Sequence, residues 1–390
     1  MSEFDILVDR SGMSTVKQAM TPESVKNSGI TSLWGAEFEF PTAPFVRTAI
    51  AKWADNGLYA YTVDDCDFLS LVCNWMADFR EWTVLPQWIV PVYGITSSLA
   101  TAMRAFTQEG DGIIGLDPTY HMYWEAVELS GRRKVSVRLK YDGCSYSVDW
   151  DDLEKQASDN RNKMLVLCNP ANPIAKVFSR DELQRISEIC KKHNLIIFND
   201  EIFAECVYPG VKMNTFGQLP CCEAMVITAV SLGKWLSFTG TNQANLIIPD
   251  DKIRESFIMQ RNREFYGSMN PMMRPAYFAA YTAEGAKWVR DLMKYIEGNY
   301  TLVDSFFRNN LPEFKAVRPE GSFILWIDAR AFSVRVDDLY SFLTEKAHFH
   351  IDPGPQYGGD YGFFRMTLSL PRSELSKALH SLKAAVDSTV

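Results

Sequence analysis

Lys234 lies in Ala229-Val-Ser-Leu-Gly-Lys-Trp-Leu-Ser-Phe-Thr-Gly240, after the apolar run Met225 to Ala229 and among small and hydroxyl residues instead of other charges. A lysine drawn partly out of water loses basicity, and its free amine can form a Schiff base with an aldehyde. Most lysines are solvated surface charges, so one such residue does not make a site. Upstream, further groups occur in an order that would complete one. Tyr120, after Asp117-Pro-Thr, can stack on a planar ring or simply pack. Asn169-Pro-Ala-Asn172-Pro173 fixes its backbone with two prolines, and is either a plain turn or a device that aims Asn172 out of a sheet edge. Asp200 follows the run Leu195 to Asn199, where a carboxylate can cap a helix or hold a protonated ring nitrogen. Ser231 offers a hydroxyl three residues before Lys234, and the turn Gly94-Ile95-Thr96 offers the free amides of a helix start to a phosphate.

These residues need a frame, and the apolar runs supply one. Candidate strands are 88–93, 112–116, 134–139, 164–168, 195–199, 225–229 and 244–248, separated by amphipathic stretches. Ser179-Arg-Asp-Glu182 reads as a capping box opening a helix with Leu183, Ile186, Ile189 and Cys190 on one face. Short strand, helix, short strand predicts an α/β fold of three layers: a mainly parallel sheet with helices on both faces. Beyond residue 250 a long helical region to about 310 is expected, interrupted by Pro271 and Pro275. The tail, with strands at 323–327 and 364–368 and helices near 335–346 and 373–387, predicts a smaller α+β domain. The expected division is 1–48 as an N-terminal segment packing with the small domain, 49–275 as the large domain and 276–390 as the small C-terminal domain.

The 390 residues suffice for this arrangement, with 47% hydrophobic and 23% charged residues. A net charge of -8 without a basic run argues against nucleic acid or an anionic membrane as partner. No signal-like start or membrane-length apolar run occurs, so a cytoplasmic location is expected. The eight cysteines include no C-x-x-C, and Cys221-Cys222 are adjacent, so reduced thiols are expected. His348-x-His350 is the one close histidine pair and lacks any further metal-ligand spacing, so no metal is expected.

Glycine turn, aromatic, Asn-Pro-x-Asn-Pro, strand-end Asp and Ser-x-x-Lys, in that order, resemble the fold-type I pyridoxal-phosphate enzymes of the class I/II aminotransferase superfamily. The chain looks closest to its cystathionine β-lyase-like C–S lyase branch. Trp34-Gly-Ala36-Glu37-Phe-Glu-Phe40, Gly57-Leu-Tyr-Ala-Tyr61-Thr62, Pro319-Glu-Gly-Ser322 and Gly362-Phe-Phe-Arg365 are similar to stretches of that branch. The resemblance implies that Lys234 binds pyridoxal 5'-phosphate covalently and moves the substrate Cα proton. It implies Asp200 on the ring nitrogen, Asn172 on the ring oxygen, Tyr120 on the ring face, and Ile95, Thr96 and Ser231 on the phosphate. Tyr61 would reach in from the second subunit of a homodimer, with a catalytic share. Arg365 would clamp the carboxylate of a small amino-acid substrate, in company with Ala36 and Asn172.

The implied reaction is α,β-elimination from an S-substituted L-cysteine to a thiol, pyruvate and ammonia. An aminotransferase, or a cofactor-binding regulator without turnover, are the alternatives. Several positions depart from the wider pattern, among them Ala171, Ile174-Ala175, Glu37, Glu39 and Thr367 around the substrate, and two near the cofactor. Asn242 stands where many members have an arginine for the phosphate, a loss shared with the lyase branch. Phe203 stands where Tyr or His usually bonds the ring oxygen, and it cannot donate.

Overall fold

The structure is a computed structural model that describes residues 2–219, 225–266 and 269–389; Cys221-Cys222 lie outside them. Seven strands form one sheet in the order Ile89–Val92, Ala244–Ile247, Val226–Val230, Ile196–Asp200, Asn162–Cys168, Gly112–Asp117, Arg133–Arg138. Every candidate strand from 88 to 248 is present, with its ends shifted by a residue or two. Ala244–Ile247 pairs antiparallel on both sides, and the other six strands point one way. Continuous apolar sequence explains this, because both sheet faces are covered by helices; in Met164–Cys168 every residue is buried. The predicted capping box forms, with the Glu182 amide 3.1 Å from Ser179 Oγ and the Ser179 amide 2.8 Å from Glu182 Oε2. The helix it opens, Arg180–Lys192, buries Leu183, Ile186, Ile189 and Cys190.

The second, antiparallel sheet runs Lys315–Ala316, Ile324–Asp328, Phe363–Thr367, Asp352–Pro353. Helix Arg372–Asp387 packs beside helix Ala283–Asn310 to cover it. Two expectations change in this half. The region 251–310 is three helices, Asp251–Arg263, Met273–Ala280 and Ala283–Asn310. Pro271 falls in the first break, but Pro275 sits in the first turn of a helix, where its missing N–H has no carbonyl to serve. Near 335–346 helix begins only at Leu339, because Asp338 accepts from the amides of Tyr340 and Ser341 and so starts it. Among the described residues, no helix is long and apolar enough to cross a membrane.

The segment Leu33–Phe40 forms a strap between the two sheets. The Thr367 amide bonds Leu33 O at 2.9 Å, and the Glu39 amide bonds Ser369 O at 2.8 Å. On its other side the Phe38 amide reaches Ser237 Oγ at 3.2 Å, in the loop that carries Lys234. That loop is set by packing. Leu232, Trp235 and Leu236 are fully buried, at the spacing that puts three side chains on one face of a turn. Trp235 stacks on Trp75 with ring centroids 5.5 Å apart, and Trp75 stacks on Tyr281 at 4.7 Å. With those three side chains turned inward, Lys234 is turned toward the strand ends.

Trp235→Ala is expected to cost about 3–5 kcal/mol, the usual range for emptying a buried aromatic site. Trp235→Phe should cost less than half of that, since among the described residues the indole N–H has no hydrogen-bond partner to lose. Urea unfolding midpoints decide it: an alanine variant as stable as wild type would mean that the stack does not hold the lysine loop.

Candidate active site

At the carboxyl ends of the parallel strands lies a cavity of about 500 Å³. Its wall includes Lys234, Asp200, Asn172, Tyr120, Ile95, Thr96, Ser231, Ala36 and Arg365. Tyr61 is not among them. It is 96% exposed in the single chain, on a segment with Leu58, Tyr59 and Val63 also exposed.

Lys234 Nζ donates to Ala36 O at 3.1 Å and stands 5.6 Å from the Phe203 ring centroid. Burial, then the nearby Arg365 charge, hold its pKa down at about 8. The amine is therefore a usable nucleophile near neutral pH. Asp200 is buried at its strand end, and burial pushes its pKa up to about 6 against the hydrogen bonds it receives. Those bonds come from the Tyr123 hydroxyl and, at 2.9 Å, from the Ile202 amide. A carboxylate so placed is held in one orientation and gains from a further cationic or N–H partner in the cavity.

Asn172 is held by a turn whose backbone is pinned through Asn169. The Phe178 amide donates to Asn169 Oδ1 at 3.0 Å, and Asn169 Nδ2 donates to Asn214 O at 2.7 Å. Asn172 Oδ1 accepts from Arg365 Nη1 at 2.9 Å, which leaves its Nδ2 donors for something in the cavity. Helix Ile95–Phe106 starts beneath them after Gly94, whose φ of 74° suits a residue without Cβ. Its first amides have no carbonyl a turn earlier to bond, so this end can hold an anion.

Ser231 behaves differently from expectation. Its hydroxyl donates to Gln243 O at 2.6 Å and accepts from the Gly233 amide at 3.0 Å, so it would have to rotate to donate into the cavity. Asn242 lines the cavity and donates to the Tyr93 hydroxyl at 3.3 Å. Phe203 also lines it, with no donor to offer.

Three residues of the site went unnoticed in the sequence. Tyr123 is one turn beyond Tyr120 on helix His121–Leu129, and that spacing could have suggested a shared face. His121 also faces the cavity, its pKa lowered by burial and by Arg365. Asp352 lies directly across the sheet register from Arg365, whose Nε and Nη2 donate to Asp352 Oδ2 at 3.1 and 2.8 Å. No local pattern around Asp352-Pro353 signals this.

The family model for aminotransferase class I and II matches residues 37–382. The cystathionine beta-lyase PatB of Bacillus subtilis is 30% identical over 385 residues, covering 98% of this chain and 99% of its own. The protein MalY of Escherichia coli is 24% identical over 99% of both chains. Among solved structures, cystalysin from Treponema denticola, which contains a pyridoxal 5'-phosphate cofactor, superposes with a TM-score of 0.93 at 28% identity. It covers 100% of this chain and 99% of its own.

The depressed basicity of Lys234 has a direct readout. In competitive acetylation of the cofactor-free protein followed by mass spectrometry, Lys234 should label half-maximally near pH 8 and faster above it. Solvated lysines should lag by about two pH units. A midpoint above 10 would mean that the cavity does not withdraw this amine from water.

Proposed function

This chain belongs to the class I and II aminotransferase family, and from that membership we propose that it is a pyridoxal-phosphate-dependent carbon–sulfur β-lyase acting on an S-substituted L-cysteine. The observation that carries the proposal is end-to-end similarity to a cystathionine β-lyase. Asn242 in place of a phosphate-binding arginine leans the same way. The net reaction consumes water: the Cα–H and Cβ–S bonds break, and a thiol, pyruvate and ammonia are released.

The cavity's donors suit this cofactor. Lys234 would bind its aldehyde, and the buried Asp200 would keep a proton on its ring nitrogen. Asn172 Nδ2 would donate to its ring oxygen, with Tyr120 and Ile202 available for its faces. The amides of Ile95 and Thr96 would hold its phosphate, joined by Ser231 after rotation. When bound, pyridoxal phosphate supplies the sink for electrons released at the substrate α carbon. Arg365 orients the substrate carboxylate, beside Ala36, with N–H groups that lysine could not match. Lys234 Nζ takes the α proton, its lowered basicity matched to that work. Either this amine or Tyr61 of a second copy returns a proton to the leaving sulfur. A second copy would also cover the exposed Leu58, Tyr59 and Val63 and make the protein a homodimer.

The test is turnover of L-cystathionine or S-methyl-L-cysteine with and without a 2-oxo acid. Pyruvate and thiol formed without the oxo acid are expected, and strict dependence on it would make the protein an aminotransferase. A bound chromophore with no turnover in either case would make it a cofactor-binding regulator. Lys234→Ala should lower the rate by at least about 10³-fold, the scale of losing a general base and covalent anchor together. A near-wild-type rate in that variant would remove Lys234 from the chemistry.

A further inference from the structure

The guanidinium of Arg365 is almost fully enclosed, and three of its five N–H groups are already used. Nε and Nη2 each donate to Oδ2 of Asp352, and Nη1 donates to Asn172 Oδ1. One N–H on each terminal nitrogen is left. The Nε edge, which a carboxylate could otherwise grip side-on, is closed by Asp352. A ligand carboxylate must then approach the tip of the guanidinium. The ring of Tyr357 lies 4.7 Å from the guanidinium carbon, so one face of the plane is blocked as well.

Asp352 also changes what Arg365 offers electrostatically. Burial is the largest single influence and works against the arginine charge; the charge and hydrogen bonds of Asp352, joined by Tyr357 and Tyr120, together outweigh it. Arg365 and Asp352 are respectively 4% and 2% exposed in their side chains, so water screens the pair little. The same Oδ2 accepts the Gly35 amide at 3.0 Å, and Gly35 precedes Ala36, whose carbonyl receives Lys234 Nζ. One carboxylate oxygen thus fixes the arginine and the strap beside the lysine.

We infer that Asp352 is a positioning and specificity-determining residue: it confines the substrate carboxylate to the tip of Arg365 and damps the attraction of that arginine for anions. The damping selects for ligands that fit the remaining two N–H groups over ligands that merely carry negative charge. The inference rests on Arg365 as the holder of the substrate carboxylate, as proposed above.

The probe is 3-(methylthio)propanoate, which keeps the carboxylate and sulfur of S-methyl-L-cysteine but lacks the amine and cannot react. Its Kd is measured by calorimetry on holoenzyme for wild type, Asp352→Ala, Asp352→Asn and Arg365→Lys. Asp352→Ala frees the guanidinium to turn, and should weaken binding by roughly tenfold or more, the scale of one charged hydrogen bond. Asp352→Asn keeps an acceptor on the Nε edge but removes the charge, and should bind the probe more tightly than wild type. With S-methyl-L-cysteine, the alanine variant should raise KM by a larger factor than it lowers kcat, since the binding of the carboxylate is what Asp352 chiefly sets. A general loss of structure would instead weaken both variants together and lower kcat. Equal Kd in wild type and both Asp352 variants overturns the inference, and so does tighter binding by alanine than by asparagine. No binding to wild type, or equal binding by Arg365→Lys, overturns the role of Arg365 itself and so the site on which the inference rests.

Discussion

The Arg365 guanidinium is the joint on which the two sheets of this chain meet. It projects from the small antiparallel sheet, yet bonds Asn172 at the edge of the large one and is balanced by Asp352 on its neighbouring strand. A buried cation costs several kcal/mol unless it is paired and hydrogen-bonded, so all of these partners must be present together. That requirement ties four distant stretches of sequence, around 35, 172, 352 and 365, into one arrangement. The cavity between the sheets therefore comes with a fixed cationic tip rather than a freely moving side chain.

Around that tip, burial shapes the other charges in opposite directions. It lowers the basicity of Lys234 and raises that of Asp200, and in each case it outweighs the pull of the partner charge. The two groups consequently sit near neutrality from opposite sides, at about 8 and about 6. One physical cause acts on both. It leaves the lysine with a more available amine and makes the aspartate a group that gains from an N–H donor. Tyr123 and the Ile202 amide fix the orientation of that aspartate.

Much of this was legible because parallel strands buried on both faces read as unbroken apolar runs. The groups that hang on their ends, Asn172, Asp200, Ser231 and Lys234, could be placed from that frame alone. What stayed hidden depends on register or on a second surface. Asp352 occupies a two-residue strand beside a proline, and only cross-strand pairing puts it opposite Arg365. Tyr123 shows its helical spacing but not the partner of its hydroxyl. Ser231 shows the hydroxyl but not that it donates to Gln243 O. Tyr61 is outside the cavity of the single chain, so nothing within one copy determines what it touches.

The departures at Phe203 and Asn242 also acquire a physical sense. Phe203 is buried against the Lys234 amine and joins the same core as Trp235, so it contributes packing and a ring face instead of a donor. Asn242 bonds Tyr93 and brings no charge to the helix end after Gly94. On the proposed function, the phosphate would thus rely on backbone amides and the helix dipole, and the ring oxygen on Asn172. Since Asn172 is itself held by Arg365, the proposed grips on ring and substrate would meet at one hydrogen bond. A ligand that draws Arg365 toward its own carboxylate would then act on the asparagine proposed to orient the ring, and the two would be coupled through that one hydrogen bond.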